Sequence, residues 1–468
     1  MSNETRAATD PLPIEGDGSL LPLALLALPV GAASGLVGAI FRLSLERADN
    51  LRDMLIAWAH GWKFAGFVIV IAICGAATGL AAWLVRQYAP HASGSGIPHV
   101  EAVLHEELPQ APFRLIAVKF IGGLLAIGSG LALGREGPSV QMGASIAHLI
   151  GKLSHRNWPD CRVLLAAGAG AGLATAFNAP IAGAIFVLEE LVRRFEPRIA
   201  IAALGASATA ISISRVLLGD APDFNVEPFA YPAAATRPLY FALGAIAGLM
   251  AIVYNQTLLG TLSLAGRLGA WPAELRAGIM GAAVGMLAWF APDLVGGGDP
   301  ITQQALSGIG SLAIIPLIFL LRLGLGATSY AAGTPGELFA PMLVLGAQIG
   351  LLFGIICQLA FPDLDIEPGG FAVVGMAAFF TGVVRAPLTG IVLVIEMTAS
   401  VTMLLPMLGA CFVAMLVPVL LSNPPIYDSL REITLQRERE RSTAALRLKS
   451  EQREMLSPCE GEKPWTRR

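Results

Sequence analysis

The chain has 468 residues, of which 55% are hydrophobic and only 14% charged, and its mean hydropathy is +0.66. A soluble protein carries roughly 25% charged residues. A chain of this length has too few charges to clothe two or three water-exposed domains, which excludes a soluble enzyme, a disordered chain and a secreted disulfide protein. The net charge of −3 and pI near 6.1 leave no basic footprint for nucleic acid.

A polar stretch, residues 1–19, comes first and lacks the basic start and short apolar core of a cleavable signal peptide. A bilayer crossing takes about 20 residues of helix. In chain order, runs long enough and free of charge, save for Arg215 in the third, are Leu20–Phe41, Phe64–Val85, Ile199–Leu218, Pro238–Gly266, Ile301–Leu321 and Met397–Tyr427. The last has room for two helices with a break near Pro406. Other apolar runs are too short, or are cut by Gly, Pro or charge: Gly137–Gly151, Ala166–Phe177, Ile181–Leu188, Leu338–Cys357 and Gly369–Val384. Interrupted helices persist at membrane depth only where they line a polar cavity, because lipid cannot satisfy freed backbone groups. The pattern predicts an all-α polytopic membrane protein with many broken or re-entrant helices. The Pro-rich stretch Gly219–Pro238 divides a membrane domain, residues 20–427, into halves of about 20–218 and 238–427. Residues 428–468 form a charged tail, and Ser429–Arg468 holds 10 of the 31 Lys and Arg residues. It is expected to be helical, water-facing and, by the positive-inside rule, cytoplasmic.

The two halves share sequence. NAPIAGAIFVLEE (Asn178–Glu190) matches RAPLTGIVLVIEM (Arg385–Met397) at a spacing of 207, pairing Pro180 with Pro387, Gly183 with Gly390 and Glu189 with Glu396. GPSVQMGA (Gly137–Ala144) matches APMLVLGA (Ala340–Ala347) at a spacing of 203. Interrupted segments at corresponding positions of two halves point to a transporter substrate site.

Three Gly/Pro-rich signals each look like a loop entering a helix: GSGIP (Gly94–Pro98), GREGP (Gly134–Pro138) and GELFAP (Gly336–Pro341). A helix start exposes unpaired N–H groups and the positive end of the dipole, which together attract anions. Three such starts converging near mid-membrane would hold a small anion without a full positive charge, and therefore weakly enough to release it. Glu136 lies at one of these starts. An ionisable group at membrane depth costs at least about 2.5–3.5 kcal/mol and is usually functional; the plainer reading is an ion pair with Arg135. Glu189 and Glu190 end an apolar run; one reads as a structural interfacial charge and the other as an inward proton relay, and the pattern does not choose between them. Ser95 is either a turn residue or a hydroxyl donor, and Tyr427 either an interfacial aromatic or a donor. Lys119, inside an apolar run, needs a buried partner, for which Glu101 is the candidate; that pair would be structural.

The remaining signals are weak. HVEAVLHEE (His99–Glu107) contains no HExxH, so a zinc hydrolase is not expected. GAGAG (Gly168–Gly172) has no βαβ context and reads as helix–helix packing. The five cysteines are scattered and form no metal or disulfide framework. An intramembrane enzyme would need a nucleophile–base pair or a metal cluster, and none is present in the pattern. No cofactor or metal is expected.

Taken together, GSGIPHVE, VKFIGG (Val118–Gly123), GREGPSVQMG, AFNAPIAG (Ala176–Gly183), GELFAP, VRAPLTG (Val384–Gly390) and the terminal Tyr resemble the CLC family of chloride channels and proton-coupled anion transporters. The resemblance runs from about Leu20 to Tyr427. It implies a homodimer with one pore in each subunit, built from two halves of inverted topology. It assigns Ser95, flanked by Gly94 and Gly96, and Tyr427 to the central anion, with backbone N–H groups from Leu338 and Phe339. It makes Glu136 the external gate that competes with the anion and carries the proton, flanked by the backbone donors of Arg135 and Gly137. Glu190 matches the internal proton glutamate of the exchangers, which channel members typically lack. A serine at position 95 goes with chloride preference, a proline with nitrate. The family usually has a second Gly where Glu337 stands; a carboxylate there would repel the anion, add a proton stop, or point away into a polar vestibule. His99 is a milder departure.

The reading that follows is a proton-coupled chloride antiporter, not an enzyme, in a prokaryotic-type inner membrane, with chloride, protons and lipid as its partners. A passive chloride channel on the same scaffold, or an antiporter for fluoride or nitrate, are the alternatives.

Overall fold

The computed structural model describes residues 20–267, 269 and 271–456, so the polar stretch 1–19 and the end of the tail, 457–468, lie outside the described residues. The first eight helices are α1 (Leu20–His60), α2 (Lys63–Tyr88), α3 (Ile97–Leu104), α4 (Arg114–Gly128), α5 (Glu136–Leu153), α6 (Trp158–Phe177), α7 (Pro180–Phe186) and α8 (Pro197–Leu218). The next eight are α9 (Arg237–Arg267), α10 (Ala273–Phe290), α11 (Asp299–Leu306), α12 (Ile315–Ala331), α13 (Phe339–Ala360), α14 (Pro368–Val384), α15 (Pro387–Thr398) and α16 (Leu404–Leu420). The second set repeats the first in order. A last helix, α17 (Ile426–Leu456), carries the charged tail. Seven of the described helices are long and apolar enough to cross a membrane. Others fall far short: α3 and α11 have eight residues each, about 12 Å of helix against a hydrocarbon core of about 30 Å.

The repeat is physical as well as textual. A 3-10 turn, Pro90–Ala92 or Pro292–Leu294, leads into each short helix. Each short helix starts at a left-handed glycine, Gly96 (φ 90°) or Gly298 (φ 94°), which a side chain would strain. Proline in the first turn then fixes the helical φ where no N–H is needed. In each half a buried cation grips the loop ahead of the short helix. Lys119 Nζ donates to the carbonyls of Ala92 (3.1 Å) and Gly94 (2.7 Å). Arg322 donates to those of Leu294 (3.1 Å), Gly296 (2.9 Å) and Gly297 (2.8 Å).

The glycines of GAGAG serve two faces of α6, Gly168 and Gly172 toward α5 and Gly170 toward α7. A Cβ at Gly168 would run into the Gly143 carbonyl, and one at Gly170 into Val187 and the Gly183 carbonyl. The second half repeats the contact: a Cβ at Gly375 would meet the Gly346 carbonyl. These close approaches bury most of α5, α6 and α14, and α13 as far as Leu351, without a water-driven hydrophobic effect.

The structure departs from the sequence expectations in several elements. The run Ile301–Leu321 is not one crossing but α11 and α12, parted by the Gly-containing loop 307–314. The break within Met397–Tyr427 falls at 399–403, where Ala399 takes a left-handed conformation (φ 52°), rather than at Pro406. Pro406 sits in the first turn of α16, where its missing N–H costs nothing. Helix α10, like the shorter α4 and α15, has no counterpart among the expected runs. The first turns of α10 carry Glu274 and Arg276, and Glu274 pairs with Arg86 of α2 at 2.6 Å.

Candidate functional site

The loops ahead of α3, α5 and α13 are stitched into one junction. Gly94 N donates to Thr334 O (3.1 Å) and Gly336 N to Gly94 O (3.2 Å). Gly134 and Glu337 exchange N–H···O bonds of 2.8 and 3.0 Å in an isolated antiparallel bridge. Gly134 and Glu337 are themselves equivalent under the 203-residue repeat, so the two halves meet here running in opposite directions. Three helix N-termini therefore share one small region, with Ser95–Ile97, Arg135–Gly137 and Leu338–Phe339 around it.

Ser95 and Tyr427, 332 residues apart in sequence, face the same point, and both are buried. Ser95 Oγ accepts from Ile97 N at 3.1 Å, and Ser95 N donates to the Tyr330 hydroxyl at 3.4 Å. Tyr427, in the first turn of α17, packs its ring 6.1 Å from that of Phe339. The point both hydroxyls face is the Glu337 carboxylate. Oε1 accepts from Tyr427 Oη (2.9 Å) and Leu338 N (2.7 Å), and Oε2 accepts from the Ser95 hydroxyl. Glu337 is fully buried at the junction, so it does not point away into a vestibule.

Glu136 is buried at the start of α5, its carboxylate folded back toward Gly134, and Oε2 has no hydrogen-bond partner among the described residues. It lines a cavity of about 90 Å³ that also receives Arg42, Arg135, Asp223 and Asp299. The ion pair with Arg135 is absent: the Arg135 guanidinium donates to Ala176 O (3.0 Å) and lies 3.6 Å from Asp223. Gly94, Ser95 and Gly96 border a second cavity, of about 630 Å³, shared with His91, His99 and α17 residues.

The two adjacent glutamates take different places. Glu189 accepts from Leu388 N (3.0 Å), Thr389 N (2.6 Å) and Thr389 Oγ1 (2.7 Å), so it caps α15. Its repeat partner Glu396 accepts from Ile181 N (3.1 Å) and Ala182 N (2.8 Å), capping α7 in return. Each half thus caps a helix of the other. Residues Val187–Leu191 form a π turn, whose extra residue turns successive side chains to different faces. Glu190 is buried and meets Arg193 at 3.2 Å. Arg193 also reaches Glu101 (3.4 Å) and Asp428.

Glu101 is not the partner of Lys119, which spends its donors on the Ala92 and Gly94 carbonyls. Glu101 pairs instead with Arg431 of α17 at 2.9 Å, and Arg431 bonds Glu107 at 2.6 and 2.8 Å. The Arg431 guanidinium holds the exposed Glu107 carboxyl below its ordinary range. Sequence reasoning missed Asp223, Tyr330, Arg193 and Arg431. Only Arg193 carried a local signal, lying one helical turn after Glu190.

A family model described as voltage gated chloride channel matches residues 77–418. The H(+)/Cl(−) exchange transporter ClcA of Salmonella arizonae is 35% identical over 435 residues, 91% of each chain. The protein of the same name from Vibrio parahaemolyticus is 36% identical, covering 89% of this chain and 90% of the relative. A slow cyanobacterial Cl−/H+ antiporter of known structure superposes with a TM-score of 0.85 at 32% identity, covering 90% of this chain and 99% of that one.

Proposed function

The chain belongs to the voltage gated chloride channel family, and we propose that within it this membrane protein exchanges chloride for protons. The observation that carries the reading is the pairing of a three-helix N–H junction with two separate buried carboxylates, Glu136 and Glu190. Aligned N-termini supply partial positive charge, which binds an anion and lets it go. A passive conductor has no use for a second buried glutamate away from the anion path. The exchangers that this chain is similar to over nine-tenths of its length support the same conclusion.

In this reading the anion contacts Ser95, Tyr427 and the N–H groups of Leu338 and Phe339, with Gly94, Gly96, Arg135 and Gly137 shaping the path. Ionised Glu136 competes for the anion path at the α5 start; protonated, it withdraws and carries its proton. Glu190 passes protons to and from the α17 side, held by Arg193. Because anion and proton both use Glu136, the movement of one depends on the other, and the free-energy difference between its two states is what couples them. The protein sits in an inner membrane with α17 in the cytoplasm, as the basic tail supports, and it works as the homodimer that the resemblance implies.

Liposome flux tests this. A chloride gradient should drive protons uphill. Glu190→Gln should stop proton movement while chloride still flows, and Glu136→Ala should uncouple the two. A wild type that reverses at the chloride equilibrium potential refutes exchange and makes the protein a channel.

A further inference from the structure

The Glu337 carboxylate is held as an anion would be. One oxygen takes a tyrosine hydroxyl and a helix N–H; the other takes a serine hydroxyl. Its place is built, not incidental. The Glu337 backbone is fixed at both N and O by Gly134. Its Oε2 lies against the bare Cα of Gly137, where a Cβ would collide with it. No other described carboxylate has Ser95, Tyr427 and a helix start as its donors, whereas Glu136 has an oxygen with no partner.

We propose that Glu337 is a tethered anion, the resident occupant of the central site, which every chloride entering the centre must displace. The proposal rests on reading Ser95, Tyr427 and the α13 start as the anion site. A ligand that must wait for a minor state binds more weakly in proportion to that state's population. A carboxylate resident about 90% of the time weakens chloride binding about tenfold. Protonation removes the competing charge, so acid both frees the site and loads the carrier. The titratable groups facing Glu337 are Lys119 of α4, Glu136 of α5, Tyr254 of α9, Tyr330 of α12 and Tyr427 of α17. Glu136 is the only other carboxylate among them.

The test is chloride binding by calorimetry on the purified full chain in detergent, with Glu337→Gly and Glu337→Asp beside the wild type. Glu337→Gly, which removes the tether, should tighten chloride binding at pH 7.5 by about tenfold or more. Glu337→Asp keeps the charge on a shorter arm and should fall between the two. In a Glu136→Gln background, chloride affinity should still strengthen as pH falls when Glu337 is present and should be flat in Glu337→Gly. Equal affinity in wild type and Glu337→Gly overturns the proposal, as does the absence of chloride binding in both. Failure of the antiport reading shows separately, as missing proton uptake in liposomes, and leaves the binding comparison standing.

Discussion

Two neighbouring glutamates offer the sharpest contrast in the molecule. Glu189 holds two α15 N–H groups and the Thr389 hydroxyl. Glu190 is buried against Arg193 and caps nothing. Glu189→Ala strips α15 of its N-terminal acceptor. Loss of an N-cap costs about 0.5–2 kcal/mol, and hydrogen bonds to a charged group contribute about 1.5–3 kcal/mol each. Glu189 is half-buried, so water can replace part of what is lost, and a net cost of about 2 kcal/mol is expected. Glu396→Ala removes two such bonds at α7 and should cost slightly less. Neither change touches the junction of Ser95, Glu337 and Tyr427.

The assay is thermal unfolding in detergent beside liposome flux of chloride and protons. Glu189→Ala and Glu396→Ala should melt earlier than wild type yet keep the wild-type ratio of protons to chloride. Glu189→Gln should recover part of the stability through its amide oxygen. Glu190→Gln should melt near wild type and lose proton movement. An uncoupled Glu189→Gln of full stability would refute the assignment of Glu189 to capping and of Glu190 to proton transfer.

Three further outcomes follow from the same geometry. Lys119→Met leaves the Ala92 and Gly94 carbonyls unpaired, at about 1–3 kcal/mol each, in the loop that carries Ser95; both stability and chloride affinity should fall. Arg322→Met, the equivalent change at a loop outside the junction, should lower stability and leave affinity unchanged, and melting with calorimetry separates the two. Ser95→Pro removes the hydroxyl facing the site and should shift preference from chloride toward nitrate, read as the ratio of flux in the two anions. The Arg431 contacts dock α17 on α3, and Glu107 supplies part of them with a carboxyl held below its usual value of about 4.5. That contribution is complete above pH 4.5 and fades as pH falls below it. Spin labels on α3 and α17 should report a loosened α17 in acid, and Glu107→Gln should show the looseness at neutral pH.

Much of the fold was legible because its determinants are local. Gly followed within a few residues by Pro marks a loop entering a helix, and it located α3, α5 and α13, although of these only α3 starts at a left-handed glycine. The matched segments gave the repeat, and with it the equivalence of Glu189 and Glu396. What those two carboxylates do was not legible. Capping the opposite half is a long-range contact across 199 to 215 residues, and no spacing rule encodes it. Lys119 failed for a related reason. A buried cation needs acceptors, and the sequence displays carboxylates but hides backbone carbonyls, so Glu101 looked like the partner when the carbonyls of Ala92 and Gly94 were. Helix α10 was passed over because Glu274 and Arg276 break its apolar run, although Arg86 neutralises Glu274 from α2.

The site itself turns on one asymmetry within the repeat. Gly134 and Glu337 are equivalent, and they bond to each other across the junction of the halves. A symmetric pair of glycines would leave the centre lined only by N–H groups and hydroxyls, a site whose occupancy depends on the anion alone. Placing a carboxylate on one member puts a competitor inside the donors and makes occupancy depend on protons as well. In the proposed exchange Glu136, two residues after Gly134, would do this from the side of the smaller cavity that it lines. With Glu337 at the centre, the proposed path holds two carboxylates in series, each of which would have to yield before chloride passes. Under the proposed exchange the chain therefore has two points at which acid governs chloride, and turnover in liposomes is expected to be slow at neutral pH even though every donor of the anion site is in place.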